Sequence, residues 1–288
     1  MSIVIMVVLA VLILLLTYHL LSGRVKPMFV RIAFLYNIGF VLLFTFLFWM
    51  EAHTYFNTLH KKTNIETLAL ESVDDEQFTE EPLIKGQVLI DAPIIKQYPE
   101  LPRGCEVTSL AMLLQYKGIN TNKLELAERI KKDTTLYRRK ENKIYFGNPN
   151  DGFVGDMYNL NKPGYGVYHE PIRELAEQYL PGEILDITGS DFEYLKFFLS
   201  NGNPVWIITN ATFKVLGANS FQEWETPTGR VRITYREHSV LVTGYDENYV
   251  YFNDPLSGEK NKKEPLTDFI HAWEQMGSQA ITVELKPQ

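Results

Sequence analysis

"LPRGCEVTSLAMLLQYKG", residues Leu101 to Gly118, carries the chain's single cysteine, Cys105, at the point where a turn gives way to an apolar run. Val107, Leu110, Ala111 and Leu114 recur at i, i+3, i+4 and i+7, so the run predicts a helix with one buried face. Pro102 and Gly104 mark a tight turn ahead of it, and Gly118 marks its end. Cys105 then stands at a helix N-terminus, where unpaired N–H groups and the positive end of the dipole favour a negative charge. A thiolate is such a charge, and at such positions the thiol pKa can fall well below about 8.5.

Working outward, the formal net charge of -7 and the lack of a basic stretch give no reason to expect nucleic acid as a partner. Two stretches, Ile3 to Leu21 and Val30 to Met50, are almost wholly apolar, and each approaches the roughly 20 residues that cross a bilayer. The first lacks the basic start and the small-residue cleavage site of a signal peptide, so residues 1–50 predict a hairpin of two transmembrane helices. Arg24, Lys26 and Arg31 crowd the connector, which the positive-inside rule assigns to the cytoplasm. The expectation is a two-pass protein of the cell membrane whose catalytic domain is extracytoplasmic. With one cysteine that domain has no internal disulfide and relies on its core.

Residues 51–87, including the acidic "ESVDDEQFTEE", read as a solvated stalk or linker with little to bury. Residues 88–288 read as one domain. "VLIDAPII" predicts a strand; helices follow from Cys105, over Asn122–Lys132, over Glu170–Leu180 and over Asp191–Ser200. After these come short β-rich runs, "PVWIITNA", "RVRITY", "SVLVTGY" and "YVYFNDP". Helices first and an antiparallel sheet afterwards make an α+β domain.

A nucleophilic thiol needs a base, and the base needs an orienting partner. Of six histidines, His19 falls in an apolar stretch, His53 and His60 in the stalk and His271 near the end. His169 follows a loop-rich segment and reads as a cleft-lining residue. His238 opens the strand "HSVLVTGY", joined to "YVYFNDP" through a hairpin-like connection. A turn centred on Glu247–Asn248 would set residue 257 opposite His238, leaving Asp254 three residues off register, and Pro255 ends the ladder there. The order Cys105, His238, Asp254 is therefore a candidate triad. The backbone N–H of Cys105 and the side-chain amide of Gln97, upstream in "IIKQYPELPRGC", are candidate donors to an oxyanion. Such a site needs no dissociable cofactor and no metal.

"KQYPELPRGCEVTSLAMLL", "GNPNDGFVGDMY", "GYGVYHEPI", "PVWIITNATF", "EHSVLVTGYDENYVYFNDP" and "AWEQMG" together resemble the bacterial peptidase family related to the double-glycine leader peptidases of bacteriocin exporters. The resemblance runs from about Val88 to the C-terminus. It implies a papain-like cysteine peptidase fold with Cys105 as nucleophile, His238 as base, Asp254 as orienting carboxylate and Gln97 as oxyanion glutamine. No ATP-binding cassette follows in the sequence, so the leader-peptide substrate is not implied.

The resulting expectation is a membrane-anchored cysteine peptidase acting on a peptide or a cell-wall peptide through a thioester. The alternative is a catalytically silent module that binds such strands in the same cleft. Trp206, Trp224 and Trp273 read as core, and the "NAT" sequon at Asn210 reads as accidental within a strand-like run.

Overall fold

The computed structural model of the protein describes residues 84–285 continuously and, before them, scattered residues between 12 and 49. The chain divides into two compact units, Met1–Glu81 and Pro82–Gln288. In the first, the side-chain amide of Asn37 donates to Thr17 Oγ1 at 2.8 Å. Among the described residues no helix is long and apolar enough to cross a membrane, 34–41 being the longest helical run described there. A span needs roughly 20 residues. This corrects the two expected transmembrane helices over residues 1–50, and with them the two-pass cell-membrane location and the extracytoplasmic placement. The remainder of the two apolar stretches, and the expected stalk as far as residue 83, lie outside the described residues.

The second unit is α+β, as its sequence pattern predicts. In chain order it comprises β1 (Val88–Leu89), α1 (Cys105–Tyr116), α2 (Lys123–Arg129), β2 (Lys132–Asp133), β3 (Arg138–Lys140), β4 (Lys143–Tyr145) and β5 (Phe153–Val154). There follow α3 (His169–Glu177), β6 (Ile184–Asp186), α4 (Phe192–Ser200), β7 (Val205–Asn210), β8 (Gln222–Thr226) and β9 (Gly229–Ile233). The unit closes with β10 (Glu237–Tyr245), β11 (Tyr249–Asp254), β12 (Glu259–Pro265), α5 (Leu266–Gln275) and β13 (Ala280–Val283).

The main sheet is antiparallel, in the order β12-β11-β10-β7-β13-β6, and β1 adds to β10. β7 is buried along its whole length and β10 from His238 onward, which suits their central place and the continuous apolar runs that encode them. A smaller sheet, β3-β4-β8-β9, carries a second apolar cluster of Phe146, Val154, Tyr165, Tyr168, Trp224 and Ile233.

α1 lies across the middle of the main sheet, against β10 and β7, and is covered by α2 and α3. It is buried from Cys105 through Leu114 without a break, where the periodicity predicts a single buried face. Two layers cover it, so both sides of the helix are core. Gly118, with φ of 81°, ends the helix region in a conformation that costs glycine nothing. α2 is shorter than expected because the chain turns extended at Ile130 to enter β2, while Asn122 caps its start by accepting from the N–H groups of Leu124 and Glu125. Of the "VLIDAPII" segment only Val88–Leu89 is strand.

Candidate active site

Cys105 is the first residue of α1, and the turn before it is held from two directions. The Gly104 N–H closes on Leu101 O at 3.1 Å, and a Cβ at Gly104 would press on the buried Leu101 side chain. Arg103 sends its guanidinium to the carbonyls of Asp156, Asn159, Leu160 and Lys162, tying the 156–162 loop to the nucleophile turn. No side chain caps α1. The backbone N–H of Ser239, the residue after His238 on β10, lies near enough to the Cys105 sulfur to favour its charged form.

Helix start and thiolate do not simply go together here. Burial pushes the Cys105 thiol well above its ordinary range, and the negative charges of Glu106 and Glu237 push it further; the Ser239 N–H works the other way. Sγ stands 3.3 Å from Glu106 Oε2. The sulfur and one carboxylate oxygen from each of Glu106 and Glu237 lie within 4.8 Å of one another, close enough for one small occupant to bridge them.

His238 is buried, and its Nε2 lies 2.8 Å from Asp254 Oδ1. Asp254 also accepts from the Leu256 N–H, from Ser257 Oγ at 2.9 Å and from Lys262 Nζ at 2.9 Å. Burial alone would raise its pKa, but His238 and Lys262 hold it well below the usual carboxylate range. Asp254 is therefore ionised and fixed in direction by four donors. With Nε2 bound to this carboxylate, Nδ1 is the nitrogen left to take a proton from a thiol.

Gln97 is also buried. Its main-chain N–H donates to Pro255 O, next to Asp254, and its Nε2 donates to Pro102 O at 3.0 Å, in the turn before Cys105. It thus bridges the carboxylate end and the nucleophile end of the site, and its amide retains a second N–H. Its Oε1 is buried without a partner.

His169 lies elsewhere in the hydrogen-bond pattern: its Nδ1 pairs with Asp186 Oδ2 at 2.7 Å, at the start of α3. Asn210 is fully buried, its side chain bound to Thr212 and Lys214 O, which explains why the sequon reads as accidental. Trp206, Trp224 and Trp273 are core.

Three residues escape sequence reasoning. Lys262 comes from β12, and only pairing of β12 with β11 brings it to Asp254. Glu106 is the one charged residue in the buried run Cys105–Leu114, and that was the available signal; Glu237, between Arg236 and His238, gives none.

The chain is similar to known proteins in sequence and in fold. The model of the Peptidase_C39 like family matches residues 89–281. The uncharacterized protein YvpB of Bacillus subtilis (strain 168) is 48% identical over 186 residues, covering 65% of this chain and 71% of its own. A crystal structure described as that of a candidate C39-like peptidase from Bacillus anthracis is 47% identical with a TM-score of 0.65, covering 71% of this chain and all of its own. With the family match extending over most of the second unit, the protein belongs to the Peptidase_C39 like family.

Proposed function

We propose that this protein is a cysteine peptidase that hydrolyses a peptide-type bond, in a protein or a cell-wall peptide, through a thioester on Cys105. The observation that carries the reading is the buried His238–Asp254 pair at 2.8 Å on the strands beneath α1, the helix whose first residue is Cys105. In this mechanism His238 Nδ1 takes the thiol proton as the sulfur attacks the carbonyl carbon. The Cys105 N–H and the free N–H of Gln97 Nε2 hold the oxyanion. The imidazolium then gives its proton to the leaving amine, and a thioester remains. Water, deprotonated by His238, attacks the thioester; the thiol is restored and a carboxylic acid departs. Asp254 makes no bond in this sequence. It holds His238 in the tautomer with a proton on Nε2 and stabilises the imidazolium.

A second reading, a catalytically silent module that binds peptide or cell-wall strands, is favoured by one observation: the thiol is buried and its ionisation opposed by two carboxylates. Turnover of labelled peptides and cell-wall peptide fragments by wild type and Cys105→Ala separates the two. The enzyme reading expects hydrolysis that Cys105→Ala abolishes while binding persists. Binding without hydrolysis in both proteins would leave the silent module.

A further inference from the structure

The mechanism leaves Glu106 and Glu237 without a task, although they are the charged groups nearest the sulfur. Glu106 is 1% exposed, which is rare for a carboxylate without an opposite charge. Its Oε1 accepts the Val167 N–H at 2.8 Å, its Oε2 faces Cys105 Sγ, and its main-chain carbonyl accepts from Trp206 Nε1. Glu237 is partly exposed as a residue, yet its Oε1 is sealed from solvent without a partner. Both carboxyl groups converge on Gly166, where a Cβ would collide with Glu106 Oε1 and press on Glu237 Oε2.

Among the described residues neither carboxylate has an ion pair. The segment before α3 contributes Tyr165 and Tyr168, whose hydroxyls bond each other at 2.9 Å. α1 contributes Cys105, β10 contributes His238, and the Arg103 guanidinium is engaged with four carbonyls. Two carboxylates this close in a dry site do not both ionise; one proton stays between them.

We propose that Glu106 and Glu237 are positioning residues for Cys105: the pair retains one proton, and the Glu106 O–H donates it as a hydrogen bond to the sulfur when the thiol ionises. In the resting site the S–H donates to Glu106 Oε2. On ionisation the thiol proton goes to His238 Nδ1, and the proton already held by the pair settles on Glu106 Oε2, so that S–H···O becomes S⁻···H–O with no net proton gained. Once the pair loses its proton, a full negative charge faces the sulfur and the thiolate is disfavoured. Burial raises both carboxyls, Glu106 to about 7, and repulsion from Glu106 adds to the rise at Glu237, so at least one of the two keeps a proton up to about neutral pH.

This inference rests on Cys105 being the nucleophile. Its test is the rate of Cys105 alkylation by iodoacetamide between pH 4.5 and 9, read by intact mass, in wild type and Glu106→Gln. Carboxyl ¹³C NMR titration of the whole wild-type protein accompanies it. The expected rate peaks on the acid side of neutrality and falls at least tenfold by pH 8. Glu106→Gln can still accept the Val167 N–H and turns an amide N–H to the sulfur at every pH, so it should lose most of that fall and exceed wild type at least tenfold at pH 8. At least one carboxyl of the pair should remain protonated at pH 6. A wild-type rate that climbs steadily with pH, a Glu106→Gln profile identical to wild type, or two carboxyls ionised by pH 5 would each overturn the proposal. Should Glu106→Gln fail to fold, the two wild-type measurements decide. Undiminished hydrolysis by Cys105→Ala would instead overturn the nucleophile reading, and with it the role of the pair, while leaving the carboxyl titration as it is.

Discussion

His238 and Asp254 are joined at 2.8 Å although they are not cross-strand neighbours. Leu241 faces Asn253, so three steps back along β10 and three forward along β11 set His238 against position 256, two beyond Asp254. An even offset keeps both side chains on one face of the sheet, and diagonal neighbours are within reach. Near the hairpin end the register differs by one, since Gly244 faces Tyr251, and the shift lies between Val242 and Gly244. Without that bulge the offset would be three, and Asp254 would point to the opposite face. One extra residue, Thr243, decides whether the base has its carboxylate.

β1 pairs with β10 beside the bulge. Gly244 pairs with Leu89, and a Cβ there would run into the Val88 carbonyl, a backbone atom with little freedom to yield. Gly244→Ala should lower stability by about 1–3 kcal/mol, the usual range for overpacking. Urea unfolding measures this, and an unchanged midpoint would refute the close approach.

Asp254→Asn retains shape and one acceptor but removes the charge that stabilises the imidazolium. Hydrolysis should fall by about 100-fold, within the range set by general acid–base catalysis. His238→Ala and Cys105→Ala should each approach complete loss, and the double variant should be little worse than either, because the groups act as one unit. Losses that add in logarithms of rate would show two independent residues.

Lys262 donates to Asp254 from a side chain that is largely buried, at 23% exposed. Lys262→Met should cost about 1–3 kcal/mol of stability, as expected for a hydrogen bond to a charged group. Asp254 keeps its three other donors, so the His238 pair should survive and hydrolysis should remain above that of Asp254→Asn. Thermal melting and turnover on the same preparations check both halves.

Stability should change with pH in two opposite senses. Asp254 has a depressed pKa, so its contribution is present above the unfolded value of 3.8 and is lost as pH falls through the folded one. The raised carboxyl of Glu106 works the other way: from about pH 4.5 upward the unfolded chain releases a proton that the folded site keeps until about 7. Over that window stability declines, by an amount on the order of a few kcal/mol. Urea midpoints at pH 5 and pH 8 should show the decline in wild type and a shallower one in Glu106→Gln. Equal slopes would mean that Glu106 titrates as an ordinary carboxyl.

The local signals in this chain are strong where one segment decides its own structure. Apolar spacing from Val107 to Leu114, the turn at Pro102–Gly104 and the stop at Gly118 specify α1 and seat Cys105 at its start, because helix formation depends on residues a few positions apart. Alternation and β-branched runs likewise specify β7, β10 and β11, and Pro255 marks where β11 must end. Apolar content in residues 1–50 is a local signal too, but hydropathy reports composition, and it overstated what the described helices there support. Tertiary structure alone decided the rest. The parity of the His238–Asp254 pairing depends on a bulge at Thr243 that Gly244 and β1 accommodate, and no spacing in the sequence encodes it. The approach of Glu237 to Glu106 joins residues 131 positions apart, and that of Lys262 to Asp254 depends on a third strand. Charges carry no periodicity; their meaning comes from the distance and dielectric that packing sets.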